Sequence, residues 1–520
     1  MGFFLFRTII FYVLAVVAIM SDAIWAQPIS SVYAPEQPKY ETRAVWLTTF
    51  CGLDWPKSPA RDEAGVERQK AELCHILDYY KQININTVIF QTRIRGSVIY
   101  PSRYEPWYEE LTGTPGKHPG YDPLAYCIEQ CHLRGMELHA WVVCIPLGKK
   151  AEQQRYGRQG ILRQHPELCA TVGQDVFMIP GRPETANYIA AICREIAENY
   201  DVDGISLDYI RYPEKVFRFS DNTLYRGPST GLADWKRENI TRIVRRVHDE
   251  VKALKPWVKL SSSPIGKYGN LSRYSAGGWN CFSAVYQDPR LWLRENLQDM
   301  LFPMMYFQGN NFYPFLFDWK ENQYGHPIVA GLGIYFLDPR EGRWTLNQVR
   351  AEMHTVRKSD IGGMAFYRSE FLTNNTKGLY DCCREEFFPY PALTIPMTWM
   401  PEYGDAPVVP SALSYRQGIL SWQGNGSYYN VYGSNSYPVD CSRADNLIAA
   451  RVSRTEFIPE DKTRHFLYYA VTACNRYGNE SAPLQQTVEA VPVRRNLNVS
   501  RLINRDLKGS PKQKKKKRRK

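Results

Sequence analysis

The chain has 520 residues, 44% of them hydrophobic and 13% aromatic, with twelve cysteines and a formal net charge of +12. That length exceeds what one hydrophobic core fills, so two domains plus tails are expected. The charge excludes more than it promises: residues 494–520 hold thirteen Lys and Arg against the single Asp506, which leaves the rest of the chain neutral and gives no electrostatic case for nucleic acid.

Residues 1–26 have the layout of a cleaved signal peptide: Arg7, an apolar run from Ile9 to Met20, then Ser21-Asp22-Ala23 and Trp25-Ala26. The run is shorter than the ~20 residues a membrane span needs. A periplasmic or secreted protein is therefore expected. The basic segment 494–520 reads as a disordered tail suited to electrostatic contact with an anionic envelope polymer or a membrane surface.

Between residues 40 and 395, strand-like and helical runs alternate, which predicts βα units around a parallel sheet. The strands are expected at Arg43–Thr49, Asn86–Arg93, Met136–Val143, Val202–Asp208, Val258–Ser263, Asp299–Tyr306, Pro327–Ile334 and Gly362–Tyr367. Amphipathic helices are expected at about Glu63–Tyr80, Pro123–Arg134 and Ala233–Leu254. Eight such units make a (β/α)₈ TIM barrel, class α/β, whose chemistry sits at the carboxyl ends of the strands. No glycine-rich loop follows the first strand, which argues against a dinucleotide fold.

Period-2 alternation singles out residues. In the fourth strand Gly204, Ser206 and Asp208 share a face, so two small side chains lead up to a carboxylate at the strand end. In the second, Gln91 and Arg93 are expected on the face of Thr87 and Ile89. In the third, Glu137, His139 and Trp141 alternate onto one face, where a buried parallel strand would be apolar on both. The cysteines are scattered and read mostly as buried thiols, with Cys441 and Cys474 the one pair worth testing for a bridge.

From Pro401 the texture changes to short Val-, Tyr- and Ser-rich runs separated by turns, which predicts a small all-β sandwich over 401–493. It resembles a bacterial fibronectin type III module and reads as a spacer.

The motifs Thr42-Arg43-Ala44-Val45-Trp46, Asp54-Trp55-Pro56, Phe90-Gln91-Thr92-Arg93, Gly135 to Trp141, Asp203-Gly204-Ile205 through Tyr212-Pro213, Ser263-Pro264, Gln287-Asp288 and Pro303 to Tyr306 resemble the glycosyl-hydrolase-like family 10 of exported bacterial proteins. The resemblance implies a TIM-barrel glycoside hydrolase without metal or cofactor, acting on a polysaccharide. The commoner family form of the fourth strand reads Asp-Asp-Tyr, whereas Tyr209 stands here in the second position. Asp208 and Asp288 are the expected catalytic carboxylates, one ionised and one protonated, with Glu137 the rival acid. Gln91, Arg93, His139, Trp141, Arg211, Tyr212 and Tyr306 are expected to line the sugar site. Peptidoglycan strands or another anionic glycan are the expected substrate. The alternative is a carbohydrate-binding protein on the same scaffold without a working acid/base pair. A metal-dependent deacetylase would need a His/Asp cluster that the sequence does not show.

Overall fold

The structure is a computed structural model that describes residues 37–213, 224–274, 277–459 and 466–487, so the signal peptide and the basic tail expected from sequence lie outside the described residues. Its centre is a closed parallel barrel of β1 (Thr42–Leu47), β2 (Thr87–Ile94), β3 (Glu137–Val143), β4 (Gly204–Asp208), β5 (Lys259–Ser262), β6 (Met300–Leu301), β7 (Ile328–Leu332) and β8 (Gly362–Phe366), with β1 pairing to both β2 and β8. The expected eight strands are present in order. The sixth is much shorter than Asp299–Tyr306, because Pro303 has no N–H to give the ladder, and contact resumes through a bridge from Met304 to Gly331.

Alternation along each strand divides the barrel. Val45, Leu47, Val88, Phe90, Leu138, Ala140 and Val142 face the surrounding helices, among them α1 (Glu63–Gln82), α2 (Pro123–Leu133), α3 (Pro183–Asn199), α4 (Leu232–Lys252), α5 (Tyr313–Glu321) and α6 (Leu346–Ser359). Ala44, Trp46, Ile89, Trp141, Val143, Met300, Phe302, Val329 and Ala365 fill the interior. Gly204 is required there, since a Cβ on it would lie 2.7 Å from Nδ1 of His139 on the next strand. A β-bulge between Gln91 and Arg93 overturns the expected common face: Gln91 pairs with inward Trp141, but Arg93 pairs with outward Val142.

After the barrel, two antiparallel sheets carry their own core. One contains β9 (Ser411–Arg416), β10 (Ile419–Gln423) and β13 (Glu456–Phe457), and the other β11 (Tyr428–Ser434), β12 (Leu447–Val452), β14 (Tyr468–Cys474) and β15 (Leu484–Thr487). Cys441 and Cys474 are both unbonded.

This module is docked on the amino-terminal end of the barrel, so its reading as a spacer is corrected. Arg451, with φ +55°, reaches from β12 into the barrel base, where it donates to Glu137 Oε1 at 3.2 Å and to Asp203 Oδ1. Burial alone would raise the Asp203 carboxyl, but Arg451 and His132 outweigh it and hold it down at about 2. Trp399, on the connecting segment, donates to Asp299 Oδ1 at 2.9 Å. These pairs sit away from solvent, whereas Arg476 with Asp201 at 2.8 Å is a surface pair at the same interface.

Two predictions follow from these charges. Arg451→Leu leaves Glu137 and Asp203 short of a buried partner and should cost about 3 kcal/mol in urea unfolding. Arg476→Leu should cost under about 1 kcal/mol. The second concerns Glu352 on α6, buried beside α5 with no hydrogen-bond partner on Oε2 among the described residues; burial pushes its carboxyl up to about 8. The fold favours the protonated form, so this contribution to stability is complete below the ordinary glutamate range near pH ~4.3 and is lost as pH rises through about 8. Glu352→Gln should therefore melt increasingly above wild type between pH 5 and pH 9.

Candidate active site

Asp208 ends β4 at the carboxyl face of the barrel and is 6% exposed. The flanking strands and its own turn each supply a donor. The indole Nε1 of Trp141 on β3 donates to Oδ2 at 2.9 Å. The hydroxyl of Ser263, just past β5, donates to Oδ1 at 3.0 Å, and the backbone N–H of Tyr209 donates to the same oxygen at 2.8 Å. Burial raises the carboxyl above its ordinary range, with the Arg211 charge and these three bonds pulling the other way. The result is a firmly held carboxylate in a poorly solvated site, with two donors on Oδ1 and one on Oδ2.

Aromatic rings wall this site. Tyr306, from the loop after β6, stacks on Tyr367, the residue just past β8, with centroids 5.4 Å apart. Tyr335 meets both edge-on at 5.8 Å, and Trp46 from the interior lies edge-on to Tyr367 at 6.0 Å. Burial first, then neighbouring phenols and the Asp208 charge, push the Tyr306 and Tyr367 hydroxyls up. They are neutral donors and stacking surfaces at any physiological pH.

Tyr367 is held from behind. Asp54, in the loop after β1, accepts from Thr48 N–H at 3.0 Å, Glu370 N–H at 3.0 Å and Arg368 Nη1 at 2.5 Å. The Asp54-Trp55-Pro56 motif thereby ties the first loop to the end of β8.

The structure brings together four of the residues expected from sequence: Asp208, Trp141, Arg211 and Tyr306. It separates the rest. Glu137 is the first residue of β3 and lies roughly 20 Å along the strand from the level of Asp208 at ~3.3 Å per residue. There it accepts from Lys259 at 2.7 Å and from the Thr394 hydroxyl at 2.7 Å, so it belongs to the barrel base. His139 shares that level, its Nε2 3.2 Å from Glu137 Oε2.

Gln91 is spent on the first loop: its Oε1 accepts from the Thr48 hydroxyl at 2.6 Å and from the Thr49 and Phe50 N–H groups at 3.0 and 2.9 Å. Arg93, turned outward by the bulge, forms a buried fork with Glu105 at 2.8 and 3.0 Å. Tyr212 is buried, with Asn239 donating to its hydroxyl at 3.0 Å and Lys236 over its ring. Asp288 caps the short helix Pro289–Arg294, where Oδ1 accepts from Leu291 N–H at 3.2 Å and from the Tyr268 hydroxyl at 3.0 Å.

Sequence reasoning passed over Ser263, Tyr209 and Tyr367. The rule that selected Asp208 and Tyr306, a polar or aromatic residue at the carboxyl end of a barrel strand, applies equally to Ser263 and Tyr367.

A profile described as Glycosyl hydrolase-like 10 matches residues 41–327, which include all eight motifs that suggested the resemblance and the first six of the eight barrel strands. The chain belongs to the glycosyl hydrolase-like 10 family. It is 28% identical over 494 residues to Glycosyl hydrolase YngK of Bacillus subtilis, covering 88% of this chain and 95% of that one. It is 32% identical over 295 residues to Glycosyl hydrolase DigH of Escherichia coli K12, covering 52% of this chain and 67% of that one. Among solved structures it overlays the PgaB (BpsB) glycoside hydrolase domain of Bordetella bronchiseptica at a TM-score of 0.46 and 13% identity, over 68% of this chain and 99% of that one.

The hydrogen bond from Trp141 favours the charged form of Asp208, so removing it raises the Asp208 pKa. Trp141→Phe should shift the acid limb of the kcat/KM profile to higher pH, and Ser263→Ala should shift it the same way. A limb that stays in place in both variants would show that neither donor acts through Asp208.

Proposed function

We propose that the protein is an exported glycoside hydrolase whose central carboxylate is Asp208. The observation that carries this reading is a buried strand-end carboxylate, Asp208, held by three hydrogen-bond donors at the carboxyl face of a TIM barrel and walled by tyrosines. A glycosidic bond broken through an oxocarbenium-like transition state needs a fixed negative charge against the anomeric carbon, and aromatic faces that pack on pyranose C–H groups. The site supplies both.

In the paired-carboxylate mechanism Asp208 takes the ionised role, as nucleophile or as base for water, because its donors all point at the charged form. Asp288 is a weaker partner than the sequence suggests, since its Oδ1 is engaged as the cap of the Pro289–Arg294 helix and by the Tyr268 hydroxyl. The engagement of Asp288 as a helix cap favours, as a second reading, a carbohydrate-binding protein that keeps the cleft without turnover. Peptidoglycan strands or another anionic glycan remain the proposed substrate class, supported by the signal-peptide pattern and the basic tail.

Incubation of the purified protein with a panel of cell-wall and plant glycans, read as released oligosaccharide, separates the two readings. Hydrolysis is expected from wild type, and Asp208→Asn should abolish it by orders of magnitude while retaining glycan binding. Because the fold raises the Asp208 pKa, the ionised carboxylate opposes stability above its ordinary range, and Asn removes that penalty. Asp208→Asn should thus melt no lower than wild type at pH 7, with the gap widening as pH rises from 4. Turnover within a few-fold of wild type would make Asp208 a structural residue. Binding without release from any glycan would leave the binding-protein reading.

A further inference from the structure

We propose that Tyr209 and Trp279 form a second sugar platform on the rim beside Asp208, where a pyranose ring neighbouring the cleaved bond stacks. The proposal rests on the glycoside hydrolase reading and adds a subsite to it. Three observations meet at Tyr209. Its backbone lies in the left-handed region, φ +48°, which a bulky aromatic side chain rarely adopts. That turn aims its N–H at Asp208 and sends the ring outward, where 42% of the residue is exposed. Its phenol lies within electrostatic reach of the Tyr306 and Tyr367 hydroxyls, so the ring borders the same cleft.

Trp279, from the loop after β5, is 41% exposed and completes the surface. The Arg211 guanidinium lies over both rings, 4.5 Å from the Tyr209 centroid and 5.4 Å from that of Trp279. A cation shared by the two rings holds them in one cluster. Large aromatic surfaces left in water beside a catalytic carboxylate, one of them held by an unfavourable backbone, are the pattern of strain retained for binding. Pyranose rings offer a flat array of C–H groups that such faces take up.

The test is steady-state kinetics of Tyr209→Gly, Tyr209→Phe and Trp279→Ala on the glycan that wild type cleaves, with melting temperatures read in parallel. Glycine keeps the N–H that Asp208 needs and relieves the left-handed backbone. The platform therefore predicts KM raised about tenfold or more, a loss falling more on KM than on kcat, and a melting temperature at or above wild type. Tyr209→Phe, which keeps the ring, should hold KM within about twofold, and Trp279→Ala should raise it several-fold. Tyr209→Gly with KM within twofold of wild type overturns the proposal, whether or not it melts lower. Wild type that cleaves no glycan overturns the hydrolase reading instead. The platform is then read by retention on immobilised glycan, where loss in Tyr209→Gly supports it and unchanged retention overturns it.

Discussion

A carboxylate inside a barrel is tolerated only where enough donors converge on it, and this requirement organises the upper half of the molecule. Asp208 is excluded from water, so Trp141, Ser263 and the Tyr209 amide replace its hydration. Satisfying it constrains three consecutive barrel strands at once: β3 must present an indole, β5 must end in a hydroxyl, and β4 must turn sharply through the left-handed conformation immediately after the aspartate. Gly204 and Ser206 stay small on the same face, the first because His139 packs against its backbone.

The opposite end of the barrel solves the same problem differently. Glu137, Asp203 and Asp299 sit at or just before the starts of their strands, and each is neutralised by a cation or a donor from elsewhere: Lys259 and Arg451, Arg451 and His132, Lys252 and Trp399. Two of those partners, Arg451 and Trp399, come from the chain beyond the barrel. The sandwich and its connecting segment thus close the base electrostatically. The two ends share the same strands and have separate tasks: the base holds charges in pairs, while among the described residues Asp208 at the upper face has hydrogen bonds and a nearby Arg211 but no ion pair in direct contact.

Several residues of the right chemical type turned out to be engaged elsewhere, each for an identifiable reason. Arg93 left the interior because one extra residue in β2 reverses the alternation that the pattern assumes. Gln91 faces inward as expected, yet its amide oxygen is consumed by the turn after β1. Asp288 precedes Pro289, and a carboxylate in front of a proline at the first helical position is an N-cap before it is anything else. Only this last signal was present in the sequence.

What the sequence by itself determined was the barrel, its eight strands in order, the family, and Asp208 as the carboxylate at a strand end. These follow from periodicity and from motifs whose meaning is local. Which charged residues share a site was decided by the tertiary structure alone. Glu137 and Asp208 lie on adjacent strands and on the same interior face, and alternation treats them alike. Strand direction, register and closure put one at the base beside Arg451, more than 300 residues away in sequence at a separation of 314, and the other at the mouth among Tyr209, Tyr306 and Tyr367. Periodicity reports the face a side chain occupies. It carries no information about height along the barrel axis, and height separates a paired structural charge from one available for chemistry.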